Sequence, residues 1–445
     1  MKILFISLGC DKNLTNSEEM LGLLTRSGHE IVDSEEEAEV IVINTCCFIH
    51  DAKEESIENI LEMAEYKKAG TCKALIVTGC MAQRYQKEII QEIPEVDAVL
   101  GTSSYRDILK AVEEACEGRH FEEYRDIHEL PEDSGRPVLT TGGHYGYLKI
   151  AEGCDKHCTY CIIPSLRGRF RSVPEERLIS QAEYMAEQGV KELILVAQET
   201  TVYGTDLYGK KTLHLLLKKL CQIKGIRWIR VLYCYPEEIY DELIQVMKEE
   251  KKICHYLDLP IQHASDKILR RMGRRTTRAQ LTEIIHKLRR EIPDIVLRTT
   301  LITGFPGETD EDHQELMEFV DEMEFDRLGA FTYSPEEGTP AEKMENQVPE
   351  EIKEDRRDEL MELQQEISLE KGNDRIGQEL MVMIEGKVSG ESAYIARTYG
   401  DAPKVDGYLF VQTGELMMTG DFAKVRVTGA LEYDLIGELA DEYTE

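Results

Sequence analysis

"YGYLKIAEGCDKHCTYC", residues 145–161, runs from an apolar stretch straight into three cysteines. The apolar part, 146–151, reads as a strand, and it opens a series. Further strands are expected at 191–197, 227–233, 255–260, 295–303 and 328–333. Amphipathic stretches at 175–189, 237–250, 266–272, 277–291 and 309–323 read as helices between them. Apolar strands without in–out alternation, separated by helices, make a parallel sheet that helices cover. Six such units predict an incomplete (β/α)6 barrel, with a charged helix at 350–373 trailing it. Cys154, Cys158 and Cys161 then follow the first strand at its carboxyl end, the mouth where such barrels build their sites.

Upstream the same grammar recurs. "KILFISL" (2–8), "VIVIN" (40–44), "ALIVT" (74–78) and "DAVL" (97–100) read as strands, with helices at 16–27, 52–68, 82–92 and 104–117. This predicts a doubly wound α/β domain over 1–117. Residues 118–144 are polar and broken by Pro131, Pro137, Gly142 and Gly143, so they read as a linker with room for one short strand. Past 376 the period changes to two. "LMVMIEGKV", "AYIARTY", "GYLFVQT" and "AKVRVTGAL" predict a small all-β barrel over 376–445. The expected fold class is therefore α/β: a doubly wound sheet (1–117), a linker (118–144), a barrel with its trailing helix (145–373) and the all-β module.

Composition narrows the function classes. With 42% apolar and 31% charged residues the 445-residue chain is globular in type. It has no apolar run long enough for a membrane span, and its start lacks a cleavage site, so a cytoplasmic location with no membrane partner is expected. Twelve cysteines in a reducing compartment point to metal or redox chemistry instead of disulfides. A net charge of −33 disfavours phosphate backbones and suits a basic partner, although solubility alone accounts for it equally well.

The spacing C-x3-C-x2-C gives three thiolates on one compact loop. They can hold three irons of a 4Fe–4S cube and leave the fourth open. The competing reading is a structural zinc site with His157 as a distant ligand. The loop resembles that of the radical S-adenosylmethionine superfamily, including an aromatic residue, Tyr160, before the last cysteine. The resemblance implies that the open iron takes the amino and carboxylate groups of S-adenosylmethionine. It also implies that an electron cleaves this cofactor to a 5′-deoxyadenosyl radical.

Three more cysteines share one placement. Cys10 in "SLGC", Cys46 in "NTC" and Cys80 in "TGC" each lie just past the carboxyl end of a parallel strand, the edge where open α/β sheets bind ligands. They predict a second three-cysteine cluster. Cys47 can stand in for Cys46, but neighbours in extended chain point apart, so one of the two should reach it. Cys72, Cys116, Cys221, Cys234 and Cys254 lack ligand spacing and read as packing residues.

Both triads together resemble the methylthiotransferases over essentially the whole chain. That family joins an N-terminal three-cysteine domain to a radical barrel and a C-terminal TRAM barrel. Its N-T-C motif favours Cys46 and has glycine where this chain has Cys47. The resemblance implies two 4Fe–4S clusters, one S-adenosylmethionine as methyl donor, another as radical source, and an electron donor such as flavodoxin or ferredoxin. One branch modifies adenosine in transfer RNA. The RimO-type branch modifies an aspartate β-carbon in the twelfth ribosomal protein of the small subunit. "SLGCDKNLTNSE" (7–18), "CIIPSLRGRFRS" (161–172), "YLDLPIQHAS" (256–265) and "DAPKVDGYLFV" (401–411) look like the RimO-type branch. The C-terminal module agrees: 5 basic against 13 acidic residues, net −8, suits a basic ribosomal protein and does not require nucleic-acid contact. Against this, 267–290 carries nine Lys and Arg against Glu283, a stretch able to touch RNA or to pair internally. A third alternative is an iron–sulfur scaffold or redox sensor without cofactor cleavage.

Further candidates lie at strand ends. Gln198 and Glu199 can hydrogen-bond the cofactor. Gly304 and Gly307 can let backbone approach it, or simply make a tight turn. Arg167 can orient a substrate carboxylate. Gln262 and His263 sit at another strand end, where His263 meets substrate or satisfies loop carbonyls.

Overall fold

The computed structural model describes residues 1–70, 72–132 and 135–440. Positions 133–134 of the expected linker and 441–445 of the expected β-module lie outside them. The N-terminal sheet has six parallel strands in the order Glu30–Val32, Lys2–Ser7, Val40–Thr45, Ala74–Gly79, Ala98–Leu100, Phe121–Glu123. Val40–Thr45 and Ala74–Gly79 are buried along their whole length, which is why they read as continuous apolar runs. The two outermost strands are short and largely exposed, so they carry no apolar signal. Phe121–Glu123 pairs with Ala98–Leu100 and carries this sheet past residue 117, into the expected linker.

Several helix bounds differ from the sequence reading, and two of these differences bear on the cysteines. The first helix runs Asp11–Arg26, not 16–27, and begins directly after Cys10. The expected helix 82–92 is two, Cys80–Tyr85 and Lys87–Glu92, broken at Gln86, whose φ is +44°.

The central domain is a six-stranded parallel sheet in chain order: Tyr145–Lys149, Glu192–Val196, Trp228–Val231, Ile253–Asp258, Val296–Thr303, Arg327–Thr332. Its ends do not meet, so this is the open barrel expected. One face of each strand packs under the helices through Leu193, Leu195, Ile229, Val231 and Leu297. The alternate residues, Tyr145, Tyr147, Ile194, Val196, Trp228, Tyr256 and Val296, form the inner face. An incomplete barrel leaves that face without a lining of its own. Met383, Ala402 and Phe422 of the C-terminal module cover it, and Leu14 of the first helix packs beside them.

The C-terminal module is a closed barrel of five strands, Glu379–Lys387, Ala393–Thr398, Leu409–Gln412, Phe422–Ala430 and Leu435–Leu439. The last strand, missed in the sequence, pairs in parallel with Leu409–Gln412. Charged residues reinforce the docking. Buried Glu192 accepts from Arg230 Nε and Arg397 Nη2, each at 2.7 Å, and Arg397 Nε donates to Glu385 Oε1 at 2.7 Å. Arg298 and Arg327 reach Asp406 and Asp401.

Candidate active site between two cysteine triads

The barrel-mouth loop is held from several sides. Thr159 N–H and hydroxyl donate to the carbonyls of Met272 (2.9 Å) and Arg271 (2.8 Å), and Cys154 N–H donates to Gly168 O (3.1 Å). Cys154 and Cys158 are buried and Cys161 is half-buried. Burial, together with repulsion from the neighbouring cysteines of the loop, pushes the Cys154 and Cys161 thiols up to about 12. Three mutually repelling thiolates in a dry site are stable only against a positive charge, which is what iron supplies. The Lys156 N–H lies 3.4 Å from Cys154 Sγ, and the Tyr235 hydroxyl lies 3.7 Å from Cys158 Sγ. The guanidinium of buried Arg274 stacks on the Tyr235 ring, 4.3 Å from its centroid. None of Tyr235, Lys156 and Arg274 stood out in the sequence, because their proximity comes from three different loops. His157, the ligand of the zinc alternative, is exposed.

Glu199 is the strongest cofactor candidate. It is 1% exposed; one carboxylate oxygen accepts from Thr201, and the other, Oε2, has no partner among the described residues. Burial pushes its carboxyl up to about 7, against Thr201 and Lys156, which lower it. It also bears electrostatically on Cys154. Gln198 donates to Glu152 Oε1 at 3.0 Å and leaves its own buried Oε1 unpartnered. One orphaned acceptor near Cys154, with a second on the preceding residue, fits an ammonium- and hydroxyl-bearing cofactor such as S-adenosylmethionine.

Other candidates find different employment. A side chain at Gly304 would overlap Lys353, and one at Gly307 would lie 2.9 Å from Arg271 Nε. Both glycines thus let a protein side chain approach closely on the side where a Cβ would stand. His263 is fully buried, accepts from Ser265 N–H at 3.0 Å and stands 3.6 Å from Glu308. Its ring thus satisfies a loop N–H through Nδ1, while its buried Nε2 has no hydrogen-bond partner among the described residues. Gln262 stitches strands through its backbone to Thr300 and Ile302. Arg167 is 2% exposed and already committed: Nη1 to both Glu152 oxygens (3.3 Å each), Nη2 to Asn13 Oδ1 (3.1 Å) and Cys80 Sγ (3.3 Å). Both terminal nitrogens are thus given to protein acceptors.

The N-terminal triad faces the barrel mouth. Gly9 has φ +84°, and a Cβ there would sit 2.6 Å from Cys46 Cβ and 2.8 Å from Cys46 Sγ. Cys46 therefore lies against the Gly9–Cys10 turn. Burial, with Cys80 and Cys10 adding repulsion, pushes the Cys46 thiol up to about 12. Cys47 is also buried and also raised, but its neighbours are Cys80 and Arg84, and it packs with Ile162 and Leu166. Cys10 occupies the N-cap position of helix Asp11–Arg26. Among the described residues no three His, Cys, Asp or Glu side chains converge as a single metal ion requires. A cubane asks for something else, since each thiolate serves its own iron.

Beyond the triads, Lys12 Nζ stands 3.2 Å above the Tyr233 ring and 3.0 Å from Asp11, and Tyr233 hydroxyl donates to Asp11 at 3.1 Å. Arg84 pairs with Glu336 at 3.1 Å. The basic stretch is mostly paired at home: Lys267 with Asp312, Lys287 with Asp241, Arg271 and Arg289 on the carbonyls of Pro306 and Glu324. In the C-terminal barrel Glu385, Asp401 and Asp406 are spent on arginines, leaving Glu391, Glu415, Glu432 and Glu438 exposed.

Residues 2–101 match the uncharacterized protein family UPF0004, residues 148–320 the radical SAM superfamily and residues 376–440 the TRAM domain. The chain is 62% identical, over 98% of its length and 99% of the relative's, to the ribosomal protein uS12 methylthiotransferase RimO of Lachnoclostridium phytofermentans. It is 51% identical to the RimO of Pelotomaculum thermopropionicum, over 98% and 99%, and 48% to that of Clostridioides difficile, over 99% of each. Among solved structures it is similar in fold to TsrM of Kitasatospora setae, a radical S-adenosylmethionine methyltransferase with cobalamin and a 4Fe–4S cluster bound. That match has a TM-score of 0.55 at 14% identity, over 76% of this chain and 73% of that one. OxsB, a cobalamin-dependent S-adenosylmethionine radical enzyme, follows at a TM-score of 0.52 and 14% identity, over 77% and 54%.

Proposed function

The chain belongs to the ribosomal protein uS12 methylthiotransferase RimO family, and from that membership we propose that it places a methylthio group on the β-carbon of an aspartate in uS12. The observation that carries the reading is 62% identity over nearly the full length of a RimO relative, with the same three matched regions in order. An aspartate β-C–H has no useful pKa, so a positioned base would not remove its hydrogen. The bound groups, two 4Fe–4S clusters and S-adenosylmethionine, supply the one-electron chemistry and the methyl group.

The chain's own residues hold and shield. Cys154, Cys158 and Cys161 bind three irons of the barrel cluster and leave one coordination place open. Cys10, Cys46 and Cys80 do the same on the facing domain. Glu199 Oε2 accepts from the cofactor's ammonium group, and Gln198 Oε1 takes a second donor. Tyr235 and Arg274 close the barrel loop against water beside Cys158. The exposed acids of the TRAM barrel meet the basic ribosomal protein, and a flavodoxin or ferredoxin delivers the electrons. A protein acting on uS12 works in the cytoplasm with the ribosome.

The test is mass spectrometry of small-subunit ribosomal proteins and transfer-RNA nucleosides from wild-type and gene-deleted cells. Loss of one methylthio mass from an aspartate-containing uS12 peptide is expected. Loss from an adenosine instead would move the chain to the transfer-RNA branch, and no change in either would favour a scaffold or sensor.

A further inference from the structure

Arg167 has been described only by where its donors go. Its place in the molecule is more specific. It ends the short helix Ile163–Arg167, six residues after the last barrel cysteine, yet its guanidinium reaches into the N-terminal domain. There it donates to Cys80 Sγ at 3.3 Å and to Asn13 Oδ1 at 3.1 Å. Its other end rests on Glu152, which also accepts from Lys149 (2.9 Å) and Gln198 (3.0 Å). Glu152 lies two residues before Cys154. A covalent and hydrogen-bonded chain thus runs Cys154–Gly153–Glu152, Arg167, Cys80, from one triad to the other. Every polar side chain in it is buried: Glu152 is 6% and Arg167 2% exposed.

We propose that Arg167 is a positioning residue that sets the reduction potential of the N-terminal cluster from the barrel domain and registers the two clusters against each other. The inference rests on Cys80 being a ligand of that cluster. A guanidinium hydrogen bond to a ligand sulfur in a dry site favours the state with more negative charge, the reduced one. The net charge of the group is not cancelled locally, because Glu152 is shared with Lys149. Arg167 therefore raises the potential of the cluster it touches and leaves the barrel cluster near its own value. No cysteine of the barrel loop receives a hydrogen bond from it among the described residues.

The sign separates this role from simple support. Removing the guanidinium takes away a fixed positive charge and lowers the potential. Loosening the fold would admit water, which also stabilises the more charged reduced state, and would raise it.

The experiment uses the full chain reconstituted with iron and sulfide, read by redox titration with electron paramagnetic resonance. In a Cys154→Ala, Cys158→Ala, Cys161→Ala background only the N-terminal cluster remains. There Arg167→Gln is expected to lower its midpoint by about tenfold in the reduction equilibrium, about 59 mV for a one-electron couple. Arg167→Lys, which keeps the charge without the fork, should fall between. In the complementary background, Cys10→Ala, Cys46→Ala, Cys80→Ala, the barrel cluster should not move with Arg167→Gln. An unchanged or raised midpoint in the first background, or equal shifts in both, overturns the proposal. Absence of any cluster signal in the first background, with Arg167 intact, overturns the second-cluster reading and the proposal with it.

Discussion

At the level of single residues, chemistry types were legible and their partners were not. The six triad cysteines stand out by spacing and by strand-end position, both of which are sequence-local. Glu199 follows a strand and was readable as polar at a barrel mouth. That its second oxygen is orphaned depends on loops that meet only in the fold. This gives a pH prediction for the cluster-free protein. Burial holds the Glu199 carboxyl up to about 7, above the value in the unfolded chain. The folded state therefore keeps a proton that the unfolded state has lost, and stability falls as pH rises from the ordinary glutamate range through about 7. The loss is roughly 3 kcal/mol. Denaturant unfolding at about pH 5 and about pH 8 should show Glu199→Gln gaining on wild type at the higher pH. A wild-type-minus-variant difference that does not change with pH would mean that Glu199 is solvated. Gly9 yields a second residue-scale test. A Cβ at its φ of +84° meets Cys46 2.6 Å away, so Gly9→Ala should displace that thiolate. Reconstituted Gly9→Ala protein should bind about half the iron of wild type, with cofactor cleavage retained. A full iron complement would detach Cys46 from the N-terminal triad.

At the level of elements, the interior strands were legible because burial on both faces leaves them apolar throughout. The start of the first helix was not. Lys12, Asn13, Thr15, Asn16, Ser17, Glu18 and Glu19 are all buried in it. Read alone, "DKNLTNSEE" has no apolar face and looks like a loop. Its polar groups are satisfied by Arg167 and Lys149 of the central barrel, by Thr140 of the linker and by Tyr105 of its own domain, contacts distant in sequence that no local pattern reveals. Where end signals are local, they read correctly. Helix Asp310–Met323 begins with a capping box in which Thr309 accepts from Asp312 N–H and Asp312 accepts from Thr309 N–H. Thr309→Ala should cost about 1 kcal/mol of stability by thermal unfolding. It should leave S-adenosylmethionine binding unchanged, because the capping box sits at the helix end of the turn, whereas the residue of the turn that meets Tyr160 of the cysteine loop is Phe305. Weakened binding would mean that the helix end itself shapes the cofactor site.

For the whole molecule, the order of three units was legible from changes of hydrophobic period, and their docking was not. The acidic C-terminal barrel reads as a free module that carries charge to a partner. In the fold it is also a lid on the open inner face of the central barrel, through Met383, Ala402 and Phe422. Three of its acids and Arg397 serve that junction. The junction's weak point is Glu192, which has no exposure and depends on Arg230 and Arg397 for its compensation. Truncating one partner of a buried charge set costs about 3–5 kcal/mol, mostly from the charge left behind. Arg397→Met should therefore loosen the lid without unfolding the module, whose own interior of Val382, Ile384, Leu409, Val411 and Val425 is untouched. The observable is limited proteolysis at residues 374–378, between the long helix Glu350–Asn373 and the first strand of the module. Cutting there should speed up about tenfold or more. The double variant Glu192→Gln, Arg397→Met leaves buried Arg230 without its carboxylate as well and should be cut at least as fast as the single variant. If the single variant resists cleavage as wild type does, the apolar contact alone holds the lid, and the buried charges fix its orientation without contributing to its hold.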